Sequence, residues 1–130
     1  MLVEFTANAY HLHRASTRMA TRLAQSLETD DDFVHFDLSS GRLEISIEGA
    51  SANLHAEVRR TGAAFVPLTV LAGMVHVLPY FGNKPVEVGF SPGKMRVDTT
   101  IFHNRNIVLS MPASSGQRRA PLREGASQLA

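Results

Sequence analysis

"SSGRLEIS" (Ser39–Ser46) returns 52 positions later as "SPGKMRVD" (Ser91–Asp98). An internal echo of this kind constrains architecture before any single motif does. Gly41 falls on Gly93, Ser39 on Ser91 and basic Arg42 on Lys94. In "SPGK" proline takes the second turn position and glycine the third, the placement a type II turn prefers. Backward, Val34, Phe36 and Leu38 fall on Val86, Val88 and Phe90; forward, Leu43 and Ile45 fall on Met95 and Val97. Both sets alternate apolar with other residues, the period of a half-buried strand. Each half of the chain therefore carries a hairpin around a glycine turn.

The flanking segments extend the repeat. Leu54, Ala56 and Val58 alternate in "NLHAEVRR" and predict a third strand. Its counterpart is "NIVLSM" (Asn106–Met111), apolar in both phases until Pro112. Upstream, "LVEF" (Leu2–Phe5) and "AAFV" (Ala63–Val66) read as short strands, with Phe5 set against Phe65 at a spacing of 60. Between strand and hairpin lies a helix in each half. In the first, Asn8 is an N-cap. With Leu12 at zero and about 100° per residue, Ala15, Met19, Leu23 and Leu27 gather within roughly 60° as a core stripe. In the second, Pro67 opens the helix and Pro79 closes it, and Leu68, Leu71, Val75 and Leu78 share the buried face. Each half is strand, helix and three strands. The expected fold is α+β with an internal pseudo-twofold, eight strands and two helices, in one domain over residues 1–111. Residues 112–130, "PASSGQRRAPLREGASQLA", read as a disordered basic tail.

Composition narrows the chemistry. With 130 residues and 44% apolar content the chain suits one domain with a real core. It has no 18-residue apolar run, so no membrane span or membrane partner is expected. The opening "MLVEFTANAYHLHR" carries Glu4 and lacks the apolar centre of a signal peptide. The absence of cysteine excludes disulfides and thiolate chemistry and fits a cytoplasmic protein. No catalytic residue, metal site or cofactor is expected. His11 and His13 diverge by about 200° on a helix, too far to share one metal ion. No glycine–serine elbow, histidine–glutamate pair or phosphate loop occurs. The run Asp30–Asp32 reads as a solvated turn after the helix.

The net charge of +1 hides a segregated distribution. Residues 7–27 contain Arg14, Arg18 and Arg22 and no acid. On the helical wheel these fall at about 200°, 240° and 280°, with His11 near 260° and Gln25 near 220°. The acids Asp37, Glu44, Glu48 and Glu57 sit on the hairpins, so a cationic helix face is expected opposite an acidic sheet face. Such a face suits a polyanion: arginine contacts to phosphates give affinity without sequence information. A merely solvated helix face would carry the same residues. The second helix contains no Lys or Arg, only His76.

The runs "SSGRLEISIEGASANLHAEV" and "AAFVPLTVLAGMVHVLP", leading into "VEVGFSPGKMRVDT", resemble DNA sliding clamp domains of the bacterial replicase beta-clamp type. The likeness covers about residues 2–111 and lies in pattern and order. It implies helices on one side turned to duplex DNA, with His11, Arg14, Arg18, Arg22 and Gln25 as the contacting residues. Known clamps close a ring from six such domains, two or three per chain. A single domain implies a homo-oligomer, with six copies for a comparable ring and a smaller or open assembly as the alternative, serving as a platform for a polymerase or repair protein. The resemblance also implies an interface. Asn53, Leu54, His55, Ala56, Glu57 and Val58 of one subunit would pair with the strand holding Ile107, Val108 and Leu109 of the next. A protein-interaction module that kept the fold without DNA is the alternative.

Overall fold

The computed structural model describes residues 1–25 and 33–110. The tail from 112, Leu27 and the Asp30–Asp32 run lie outside them. Among the described residues there are ten strands and two helices, in the order β1 (Val3–Asn8), α1 (Ala9–Gln25), β2 (Phe33–Ser39), β3 (Arg42–Ile47), β4 (Ala50–His55), β5 (Glu57–Arg60), β6 (Gly62–Pro67), α2 (Leu68–Val77), a 3-10 turn (Leu78–Phe81), β7 (Pro85–Ser91), β8 (Lys94–Val97), β9 (Thr100–His103) and β10 (Val108–Ser110). They form two five-stranded sheets, β5-β1-β7-β8-β9 and β10-β6-β2-β3-β4. All pairings are antiparallel. Adding or subtracting five converts one strand order into the other. Each sheet takes strands from both halves, since β1 pairs with β5 and β7 while β6 pairs with β10 and β2.

The echo at 52 is the core of this arrangement. Val34, Phe36, Leu38, Leu43, Ile45 and their counterparts Val86, Val88, Phe90, Met95 and Val97 are all at most 2% exposed. Gly41 and Gly93 both hold positive φ, 72° and 77°, which the turn requires of its third residue. Three phenylalanines tie the sheets together: Phe90 on β7 stands 5.2 Å from Phe36 on β2 and 6.4 Å from Phe5 on β1.

The strand count departs from expectation, ten rather than eight. "NLHAEVRR" is two strands, not one. The chain leaves β4 at His55, buries Ala56, and enters β5 in the other sheet. The Ala56 N–H donates to the Gly41 carbonyl at 3.3 Å across this corner. In the second half β9 is the additional strand. It follows β8 through a turn at Asp98, whose φ is +56°. Ile107 is the buried counterpart of Ala56, and its carbonyl accepts from the Gly93 N–H at 3.1 Å. The first strands also align differently. Asn8 pairs with Pro85 as Pro67 pairs with Phe33, so the spacing between β1 and β6 is 59. One residue of slip reverses the face of every side chain. Phe65 therefore points outward, 37% exposed, and Ala64 takes the core place opposite Phe5.

The Asn8 side chain caps α1, its Oδ1 accepting the His11 N–H at 3.0 Å. Leu12, Ala15 and Met19 are buried as the wheel predicts, and Leu23 is partly buried. In α2 the buried stripe is Val70, Leu71 and Met74, continued by Leu78. Leu68 and Val75 are only half-buried. This ten-residue helix is apolar on nearly every side, so periodicity alone does not choose its face. α1 lies against β3, β4 and α2, while α2 lies against β6 and β2. Gly73 of α2 meets β9: a Cβ there would stand 2.6 Å from the Phe102 ring.

Candidate nucleic-acid interface

Burying Leu12, Ala15 and Met19 leaves the opposite arc of α1 in water. Arg14, Arg18, Arg22 and His11 are all exposed on it. Gln25 is the last residue of the helix. Among the described residues none of the three arginines forms an ion pair. Arg14 stands over the Tyr10 ring at 5.9 Å, and the His11 ring meets Tyr10 edge-on at 5.9 Å.

The sheets are not the acidic counter-face expected. Asp37 and Glu44 are cross-strand neighbours on β2 and β3, but Arg42 also lies on β3, and the other sheet carries Arg59 and Arg60 on β5 and Lys94 and Arg96 on β8. Several pair directly. Arg59 Nη2 is 2.9 Å from a Glu87 carboxylate oxygen, and Arg96 reaches Glu4 and Glu87 at 3.8 Å. Exposed pairs of this kind add little stability, about 0–1 kcal/mol. They do neutralise the sheet locally, so α1 carries the concentrated charge. Strong charge asymmetry thus belongs to one helix, since the exposed residues of α2 are Thr69, Ala72 and His76.

The two residue sets named from sequence meet at one place. A groove of about 510 Å³ separates α1 from β4, lined by His11, Arg14 and Arg18 on one wall and Ala52, Asn53 and Leu54 on the other. Asn53, Leu54 and His55 lie on β4, whose outer edge has no partner strand among the described residues. The remaining interface residues are placed otherwise. Ala56 is buried at the corner, and Glu57 and Val58 pair with Thr6 and Phe5. Ile107 is buried, while Val108 and Leu109 pair with Phe65 and Ala64 within the chain. The consecutive apolar run is thus covered in part by its own domain, leaving Val108 53% exposed. The sequence reading missed β9, which ends the other sheet and leaves Ile101 49% exposed. Its signal was the β-branched run "TTI" two residues after "MRV".

His11 is exposed, whereas His13 is half-buried with Nε2 3.5 Å from the Thr17 hydroxyl. Among the described residues no group of three or more His, Asp or Glu is placed to hold a metal ion. No described helix is long and apolar enough to cross a membrane. A second surface escaped the sequence reading. On the outer face of β10-β6-β2, Val108, Phe65 and Phe33 are exposed, and the His35 ring stacks on Phe65 at 4.6 Å and 8°.

No protein-family model matches the chain, and no curated protein matches it. Solved structures do. The chain is similar to the beta subunit of DNA polymerase III from Thermotoga maritima, at TM-score 0.61 and 19% identity, over 95% of this chain and 34% of that one. It is also similar to the DnaN sliding clamp, DNA polymerase III subunit beta, from Bartonella birtlesii bound to griselimycin, at TM-score 0.63 and 16% identity, over 98% and 36%. The fold is that of a sliding-clamp domain. The chain spans about a third of the length of these two structures.

Proposed function

We propose that this protein is a sliding-clamp-like DNA-binding module that self-assembles and holds duplex DNA without reading its sequence. It serves as a processivity or tethering platform for a polymerase or repair protein and performs no catalysis itself. The observation that carries this reading is the exposed, acid-free arc of Arg14, Arg18 and Arg22 on α1. Guanidinium groups spaced one turn apart follow a phosphate backbone and release its counterions. The similar solved structures, named as subunits of a DNA polymerase, favour the same reading.

Self-assembly draws support from the edges of the two sheets. β5 lies against β2 and β3 of the opposite sheet, and β10 lies against β7. Among the described residues, β4 and β9 end the two sheets on the other side. Head-to-tail addition of β9 from one copy to β4 of the next is a heterologous contact, closing when the rotation per subunit is right. Six copies are the ring the clamp resemblance implies. This replaces the β10 pairing expected from sequence.

The test is duplex binding at low and high salt together with the mass in solution. Binding that falls steeply with salt, by an assembly of several copies, is the expected result. A monomer that binds no duplex at low salt would favour the second reading, an interaction module that kept the fold. That reading draws on the absence of Lys and Arg from α2 and on the apolar surface of Phe33, Phe65 and Val108.

A further inference from the structure

A second groove, of about 410 Å³, runs between the first turns of α1 and the 3-10 turn. Its walls are mostly carbon, from Tyr10 and His13 on one side and Leu78 and Pro79 on the other. It is held open by hydrogen bonds at one end. Asn8 Nδ2 donates to the Asn83 carbonyl at 3.0 Å and to Asn83 Oδ1 at 3.1 Å, and the Ala9 N–H donates to the Lys84 carbonyl at 2.9 Å. Tyr10 is 50% exposed at its lip, and Tyr80, next to Pro79, is 83% exposed. The Arg14 guanidinium lines the first groove and stands 5.9 Å from the Tyr10 ring, so a cation adjoins the residue at this lip.

We propose that this groove seats an unpaired base of a single-stranded nucleic acid, stacked on Tyr10, with the adjoining phosphate on Arg14. The inference rests on the DNA-binding reading of α1 and extends it to a form of nucleic acid. A duplex keeps its bases inside the stack and presents phosphates, which use the arginines but not an aromatic lip or carbon walls. An apolar peptide side chain would use the walls and leave the cation without an anion. An unpaired nucleotide supplies both a π face and a charge. Aromatic rings beside a basic track hold single strands without sequence preference. An arginine already placed over the ring adds a cation–π contribution.

The test uses the full chain and three probes: a single-stranded oligonucleotide carrying one 2-aminopurine, the matching duplex, and a 2-aminopurine mononucleotide. The expected result is a change in 2-aminopurine emission in the single strand alone. Tyr10→Ala should weaken single-strand binding about tenfold, with duplex affinity near wild type. Tyr10→Phe, which keeps the ring face, should bind as wild type does. Unchanged single-strand affinity in Tyr10→Ala would overturn the inference. So would equal losses for both forms, which would reduce Tyr10 to a positioning residue for Arg14. A mononucleotide binding as tightly as the strand would overturn the strand assignment. Duplex binding with no base signal would remove the base seat and leave the DNA reading standing. Failure of both forms to bind at low salt would remove the DNA reading and the base seat with it.

Discussion

Set Asn8 against Pro67 and the two helices align residue by residue. Leu12 meets Leu71, Ala15 meets Met74 and Met19 meets Leu78, and all six are buried. Along the flank the helices part. Arg14, Arg18 and Arg22 of α1, all exposed, align with Gly73, Val77 and Phe81, all half-buried. β9 accounts for part of this. Phe102, paired with Met95, lies against Gly73; its counterpart on β4 is the shorter Leu54, paired with Leu43. Where the second half seats an aromatic ring on a glycine, the first half leaves a groove walled by Arg14 and Arg18. The fold dictates the buried stripe in both halves. The flank answers only to its edge strand and to solvent, so it is where two copies of one pattern can take different tasks.

Reversing charge on α1 is the most direct way to break the comparison. Arg14→Glu, Arg18→Glu and Arg22→Glu together should abolish duplex binding at low salt. Neutralising the same three to Gln should lower the salt slope by about three per engaged subunit. Both variants should keep the fold and the assembly, because the side chains are exposed. Wild-type binding by the triple Glu variant in a low-salt titration would place the DNA contact elsewhere.

If the buried stripe is common property, matched truncations should cost alike. Leu12→Ala and Leu71→Ala should each lower unfolding free energy by about 2–5 kcal/mol. Urea denaturation decides this, and a near-zero loss at either position would show that its half of the core is not closed. Forcing α2 to imitate α1 should cost less and gain nothing. In Gly73→Arg the new Cβ would meet the Phe102 ring at 2.6 Å. Overpacking offset by better helix propensity leaves a loss of about 2 kcal/mol. A variant with wild-type stability and stronger duplex binding would make the flanks interchangeable. The smallest effect belongs to Ser16, fully buried on α1 with no partner for its hydroxyl among the described residues. Ser16→Ala should raise stability by about 1 kcal/mol, visible as a higher Tm. A lower Tm would mean that the hydroxyl is satisfied.

The sequence made the hairpins legible because Gly41 and Gly93 mark the turns and the flanking alternation is strict. It made the arginine arc legible because α1 is polar outside one apolar stripe. Other elements depend on partners remote in sequence. Nothing local tells that Ala56 is a corner rather than a strand residue, since alternation passes through it unbroken. Phe65 is apolar yet outward, a matter of its pairing with His35 on β2. β9 has four residues, too few for a pattern to stand out. Tyr10 sits on the same arc as Arg14, and its role depends on Leu78 and Pro79 lying across from it. Edge strands are likewise set by which sheet receives them, so the residues of the proposed interface were the least legible part.

The interleaving of the halves also sets an order of events during synthesis. β1 is made well before its long partner β7, in which Phe90 stands opposite Val3. At about 5–20 residues per second, on the order of ten seconds separate the two. In that interval β1 has only β5, a four-residue strand whose pairing is broken by a register shift at Glu4 and Phe5. The hairpin of β2 and β3 waits likewise for β6. A nascent chain must therefore keep Phe5, Phe36 and their neighbours out of wrong contacts until the ribosome has delivered β7, and a stalled product ending before it would present two unfinished sheets to the cell's chaperones and proteases.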